Sequence, residues 1–200
     1  MAPLTLAIRV TKRLYSQMDL ELQEYVIQEP AFRPYDPEAP IVAQALMRVI
    51  VTLDARLQPE HIGSSSAPGC GGKGYIDLLI IYPDGLLEVA KHVLAELGFQ
   101  RQCSRDPFPE DRPMRVGSIE HQGNLYPIHA HVVAASSSEV EELLWFRERL
   151  RSDPTLQRAY EHEKHRILQD GVLDGVDYAE KKGDFVQRVL AQRTCEHESN

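Results

Sequence analysis

An α+β fold is predicted: a small mixed or antiparallel sheet with helices packed around it and a helical C-terminal third. Three observations predict it. Residues 75–81 form an apolar run interrupted only by Asp77, the pattern of a buried central strand carrying one carboxylate. Gln122-Gly123-Asn124 joins two strand-like segments by a short glycine-containing connection, as in a β-hairpin. Apolar residues recur at helical spacing ahead of the first strand and again through the last third of the chain.

Residues 1–33 read as an N-terminal extension, with a strand suggested over 4–10 and an irregular amphipathic helix over 14–27. Pro30, Pro34, Pro37 and Pro40 break regular structure and lead into the main domain, residues 34–194. Ile41, Val42, Leu46, Val49, Ile50, Leu53 and Leu57 then mark a core helix over 39–57, ended by Gln58-Pro59. Strands are expected near 59–63 and 74–82. Asp84 is the expected cap of a following helix that Gly98 stops. Residues 100–113, rich in Pro, Asp and Arg, are long for a connection within a compact domain and suggest a mobile loop over the site. The hairpin strands fall near 113–121 and 124–134. Ser136, Ser137 and Ser138 cap a helix that runs through Arg151, and Asp153-Pro154 restarts one in the N-cap and N1 positions. A last helix is expected from about 178 to 193, and residues 195–200 read as a tail.

With 200 residues, 42% of them hydrophobic, the chain can bury a sizeable core in one domain. Thirty acidic against 22 basic residues give a formal net charge of -8, a field that repels polyanions. Long nucleic acid is therefore not an expected partner. Cys70, Cys103 and Cys195 are widely spaced without a C-x-x-C pair, which signals neither a disulfide framework nor a zinc ribbon and fits a cytoplasmic location. No window is apolar enough for a membrane helix.

The stretch 60–81 carries the chemistry. Gly63, Ser64, Ser65, Ser66, Gly69, Gly71 and Gly72 make a turn almost free of bulk, closed by Lys73. Backbone N–H groups and serine hydroxyls can converge there on an anion. Gly63, Ser64, Ser66 and Lys73 are the expected phosphate donors; Arg115 could add a bidentate clamp and Arg147 could line the cleft. Asp77, amid apolar neighbours, is costly to bury unless a cation or a donor meets it. His129 and His131, two apart on a strand, face one side. With Asp77 they would supply three ligands and leave a fourth position open, a set suited to zinc or another transition metal. His61, one strand over, could serve as a fourth ligand or proton carrier. The plainer alternative is that both hairpin histidines simply satisfy backbone groups.

The run Glu60-His61-Ile62-Gly63-Ser64, followed by Ser66, Pro68, Gly69, Lys73, Ile76 and Asp77, resembles the signature of the GrpB-like family, a branch of the nucleotidyltransferase superfamily. Tyr35-Asp36-Pro37, His129-Ala130-His131, Phe146-Arg147 and Tyr178 with Lys182 and Phe185 fall in the same order as the family's other landmarks. The resemblance covers roughly residues 34–193. It implies a nucleotidyltransferase-like topology, a nucleotide or other phosphorylated small molecule as ligand, and Ser64 and Asp77 as catalytic residues. It also implies a divalent metal (magnesium, manganese or zinc), with His129 and His131 where the superfamily's third acid would lie. One position departs from the superfamily pattern. Leu79 stands where the second carboxylate of D-x-D is expected, which leaves two readings open: metal-assisted nucleotidyl transfer, or a non-catalytic ligand-binding or folding-accessory module.

Overall fold

The computed structural model describes residues 21–172 and 174–197. Six strands form one mixed sheet: β1 (Leu22–Gln23), β2 (Gln58–Ile62), β3 (Ile76–Tyr82), β4 (Gln100–Arg101), β5 (Met114–His121) and β6 (Asn124–Ala134). Their order is β1-β5-β6-β3-β2, and β4 shares the outer edge of β5 with β1. β3 and β6 pair in parallel, whereas the other pairings are antiparallel. The expected central strand is thus central, flanked by β2 and β6. The two-residue connection Gln122-Gly123 has positive φ at both positions, the geometry that matches the twist of a tight hairpin.

Strand alternation divides the sheet's two faces. Leu78 and Ile80 of β3, with Ile128, Ala130 and Val132 of β6, pack against α1 (Ala39–Leu53) and α2 (Leu87–Leu97) in the main core. Asp77 and Leu79 of β3, with His129 and His131 of β6, are carried on the other face by the register Asp77↔His129 and Leu79↔His131. Three further helices cover that side: α3 (Ser138–Ser152), α4 (Pro154–Gln169) and α5 (Gly175–His197). Val140 of α3 packs on Leu79, while Phe146, Leu150, Tyr160 and Val189 close over Ala67 and Cys70 of the small-residue loop. The helical last third is therefore the lid of the face that bears Asp77.

Several expectations need correction. α1 ends at Leu53, because Asp54 leaves helical geometry and caps Ile50 O while pairing with Arg56. Asp84 does not cap α2: Gly85 turns the chain at φ +83°, the helix starts at Leu87, and Asp84 accepts from Ser136 Oγ instead. Gly98 does stop it, in the left-handed conformation at φ 99°. The helix expected over 14–27 is not helical where it is described, since Leu22–Gln23 pair with β5; its earlier part and the strand suggested over 4–10 lie outside the described residues. α5 runs on through His197. No helix among the described residues is long and apolar enough to cross a membrane.

Candidate functional site

Gly63 fixes the site. It sits at φ +72°, and a Cβ there would lie 2.5 Å from Asp77 Oδ2, so only glycine lets the end of β2 rest on the Asp77 carboxylate. The chain then winds through one 3-10 turn, Ser64–Ser66. Ser66 points inward and spends its hydroxyl on Gly63 O at 2.7 Å. That corrects its expected role, for a buried hydroxyl closing its own turn is not available to a ligand. Ser65 was missed in its place: with Ser64 it faces a cavity of about 280 Å³, and its Oγ meets His61 Nε2 at 3.0 Å.

Side chains from α3 and α4 hold the loop from outside. Arg147 donates to Glu60 Oε2 at 2.7 Å and to His61 O at 3.1 Å, and Arg151 donates to Ser66 O at 3.0 Å. Gln157 donates to Pro68 O at 2.9 Å, and Glu161 accepts from Gly71 N at 2.5 Å. Lys164 donates to Gly71 O and is 2% exposed. Arg147, expected to line the cleft, is instead a brace occupied by Glu60. Arg115 is displaced further: its register partner on β6 is Ala130, so it projects from the opposite face, where Glu110 Oε2 holds it at 2.8 Å.

Asp77 and His129 meet, Oδ1 to Nδ1, at 3.5 Å. Burial works to raise the Asp77 pKa, but the His129 hydrogen bond and the charges of His129, Lys182 and His131 outweigh it and hold the carboxyl well below the usual range. His129 Nε2 is engaged by Tyr25 OH at 2.8 Å. His131 turns elsewhere, its Nδ1 3.2 Å from Arg112, which itself pairs with Glu139. Burial lowers the pKa of His131 to about 3 and that of His61 to about 4 against the pull of Asp77. Both imidazoles are therefore neutral near neutral pH.

This donor set does not fit the implied metal. Both ring nitrogens of His129 already have protein partners, His131 pairs with Arg112, and no three His, Cys, Asp or Glu groups gather as a cation site among the described residues. A two-cation arrangement lacks its second carboxylate, because Leu79 is fully buried against Val140 and Val133.

Positive charge surrounds Asp77 instead. Lys73 Nζ lies 4.2 Å from the Tyr178 ring centre and 5.0 Å from that of Tyr75; Lys164 Nζ lies 4.2 Å from the Tyr160 ring. Burial lowers both ammonium pKa values to about 8, and Lys182 of α5 pushes each lower still. Arg33 donates to Lys73 O at 2.6 Å from a strap bridged to Gly72. The sequence offered a signal for the two helical lysines. Lys164 stands on the stripe Leu156, Tyr160, Ile167, and Lys182 on Tyr178, Phe185, Val189, at the spacing of buried faces.

The cavity lies between the strap at 28–36, the serine turn and the hairpin tip, with Arg33, Tyr35, Asp36, Tyr75 and Tyr126 among its walls. Tyr126 OH donates to Asp36 Oδ2 at 2.8 Å, tying the strap to β6.

A mixed sheet with a Gly-Ser turn at the end of one strand, an acid on the next and helices over that face has the nucleotidyltransferase-like fold. The solved GLD-2/RNP-8 complex shares it with a TM-score of 0.51 at 11% identity, over 90% of this chain and 64% of that one. Within that class the chain belongs to the GrpB family, whose model, described as GrpB protein, matches residues 29–192. The crystal structure of the conserved protein GrpB from Enterococcus faecalis superposes with a TM-score of 0.62 and 18% identity, over 82% of this chain and 99% of that one. A UPF0157 protein of Halalkalibacterium halodurans is 28% identical over 184 residues, 86% of this chain and 90% of the relative. One from Vibrio cholerae is 35% identical over 133 residues, 66% of this chain and 65% of the relative.

Proposed function

We propose that this protein binds a nucleotide or other phosphorylated small molecule at the Gly63–Ser64 turn. The observation that carries the reading is the contact of Gly63 with Asp77 beside Ser64 and Ser65, which open onto the cavity with Lys73 and Arg33 alongside. Hydroxyls and cations placed together at a shaped recess are the means by which small anions are held. Ser64 and Gly63 would meet the phosphate, and Lys73 would balance its charge. Asp77 would then repel that phosphate unless a cation entered with the ligand.

A second reading has its own support: Leu79 in place of an acid, and His129 and His131 already partnered, favour binding without transfer. Metal-assisted nucleotidyl transfer through Asp77, Ser64 and the histidines is the less supported chemistry, because the groups it needs are committed elsewhere.

Calorimetric titration with ATP and GTP tests the binding. Wild type should bind, Ser64→Ala should bind a few-fold more weakly, and Ser64→Asp should lose binding, because a carboxylate would face the phosphate at about 4 Å. Absence of binding to wild type at millimolar nucleotide would sink the reading. Magnesium, manganese and zinc arms separate the two chemistries. Metal-dependent binding that Asp77→Asn abolishes points to a catalytic centre; metal-independent binding points to a non-catalytic module.

A further inference from the structure

Three lysines from different parts of the chain converge on Asp77: Lys73 from the loop, Lys164 from α4 and Lys182 from α5. None forms an ion pair with a carboxylate among the described residues. Lys73 is flanked by the rings of Tyr75 and Tyr178, and Lys164 by that of Tyr160. Lys182 acts electrostatically on Lys73, Lys164, Asp77 and His131 alike, which places its charge at the middle of the group. The carboxylates facing them are Asp77, engaged by His129, and Glu161, engaged by Gly71 N. With Arg33 against the Lys73 carbonyl, four cations face two acids, and the neighbouring His131 is neutral.

We propose that Lys73, Lys164 and Lys182 form a subsite for a chain of two or more phosphates, so that the ligand is a nucleoside di- or triphosphate or another polyphosphate rather than a monophosphate. The inference rests on the proposed phosphate site at Ser64 and specifies its ligand.

Charge balance argues for it. Clustered ammonium groups in a half-buried place repel one another and lose hydration, a cost shown by the lowered pKa of Lys73 and Lys164. A core that needed only packing would carry apolar residues at these three positions. A polyanion removes the repulsion at once, and its phosphates can span the turn at Ser64 and the ammonium groups beyond it. Lys73 and Lys182 supply the contacts; Lys164, already donating to Gly71 O, supplies field and holds the loop. The tyrosine faces keep Lys73 charged and directed without an acid that would compete with the ligand.

The test is a ladder of ligands on the full chain, titrated calorimetrically with chelator present so that lysines alone carry the countercharge. AMP, ADP and ATP are compared with pyrophosphate and tripolyphosphate, for wild type, Lys182→Ala and the exposed neighbour Lys181→Ala. Wild type should gain about tenfold or more in affinity from AMP to ATP. Lys182→Ala should flatten that ladder, while Lys181→Ala should keep it. ATP binding more tightly than tripolyphosphate identifies a nucleoside ligand; equal binding identifies an inorganic polyphosphate, and either supports the subsite. If AMP binds as tightly as ATP, or Lys182→Ala keeps the ladder, the subsite is refuted while phosphate binding at Ser64 stands. If no phosphate compound binds wild type, both proposals fall together.

Discussion

Gly63 shows how much one missing carbon can decide. A side chain there would strain the backbone and strike the Asp77 carboxylate, so Gly63→Ala should cost about 3 kcal/mol or more in urea unfolding. The buried histidines give a pH signature. In the unfolded chain each titrates near 6.5, whereas in the fold His61 waits until about pH 4 and His131 until about pH 3. The unfolded state therefore binds more protons between these values, and stability is lost as pH falls through the window from 6.5 to 4. Urea midpoints should drop from pH 7 to pH 4.5, and replacing His61 by Gln should shrink the drop. At this scale the sequence was readable where chemistry was local. The Asp77–His129 partnership followed from alternation along two strands. Lys164 looked like part of a solvated face because charge usually means exposure, and only the apolar stripe around it pointed inward. Arg115 was misassigned because its face depends on the hairpin register, which residue identity alone does not set.

Among the elements, the best-read ones carried strong punctuation. Asp153-Pro154 starts α4 as expected, with Asp153 Oδ1 accepting from Thr155 N at 2.9 Å and Leu156 N at 3.0 Å. Asp153→Ala should remove about 1 kcal/mol, and because α4 carries Gln157, Glu161 and Lys164 to the loop, amide exchange at 68–72 should quicken with it. The apolar run of β3 and the glycine turn of the hairpin were equally plain. β1 and β4, each two residues long, had no period to detect; they form only because the edge of β5 is free to pair. α2 was misread at its start because an aspartate can cap a helix or end a turn equally well, and Gly85 decided between them. Arg147 belongs with these braces. Arg147→Ala should loosen β2 from α3 and cost about 1 kcal/mol, most of it from leaving the neighbouring backbone carbonyl of His61 without its donor.

For the whole molecule the net charge of -8 and the lysine cluster act at different ranges. The cluster is enclosed by α4, α5 and the loop, so its field favours a small anion that can enter, while the outer surface repels a long one. Fluorescence anisotropy with a thirty-nucleotide RNA at physiological salt should show no appreciable binding, even where ATP binds. The layered architecture was legible because sheet and helices announce themselves by period. How the helices sit on the Asp77 face was not, since that depends on packing between distant segments.

The parallel pairing of β3 with β6 has a kinetic consequence. Asp77 and His129 are neighbours in space but 52 positions apart in sequence, whereas the hairpin of β5 and β6 closes over two residues. Loop-closure entropy makes the near pairing fast and the distant one slow. The chain should thus assemble its hairpin well before the two halves of its binding site come together. Pulsed hydrogen–deuterium labelling during refolding should protect amides around Gln122 first and those of β3 afterwards. A nascent chain released before residue 134 would still lack the strand that gives Asp77 its partner.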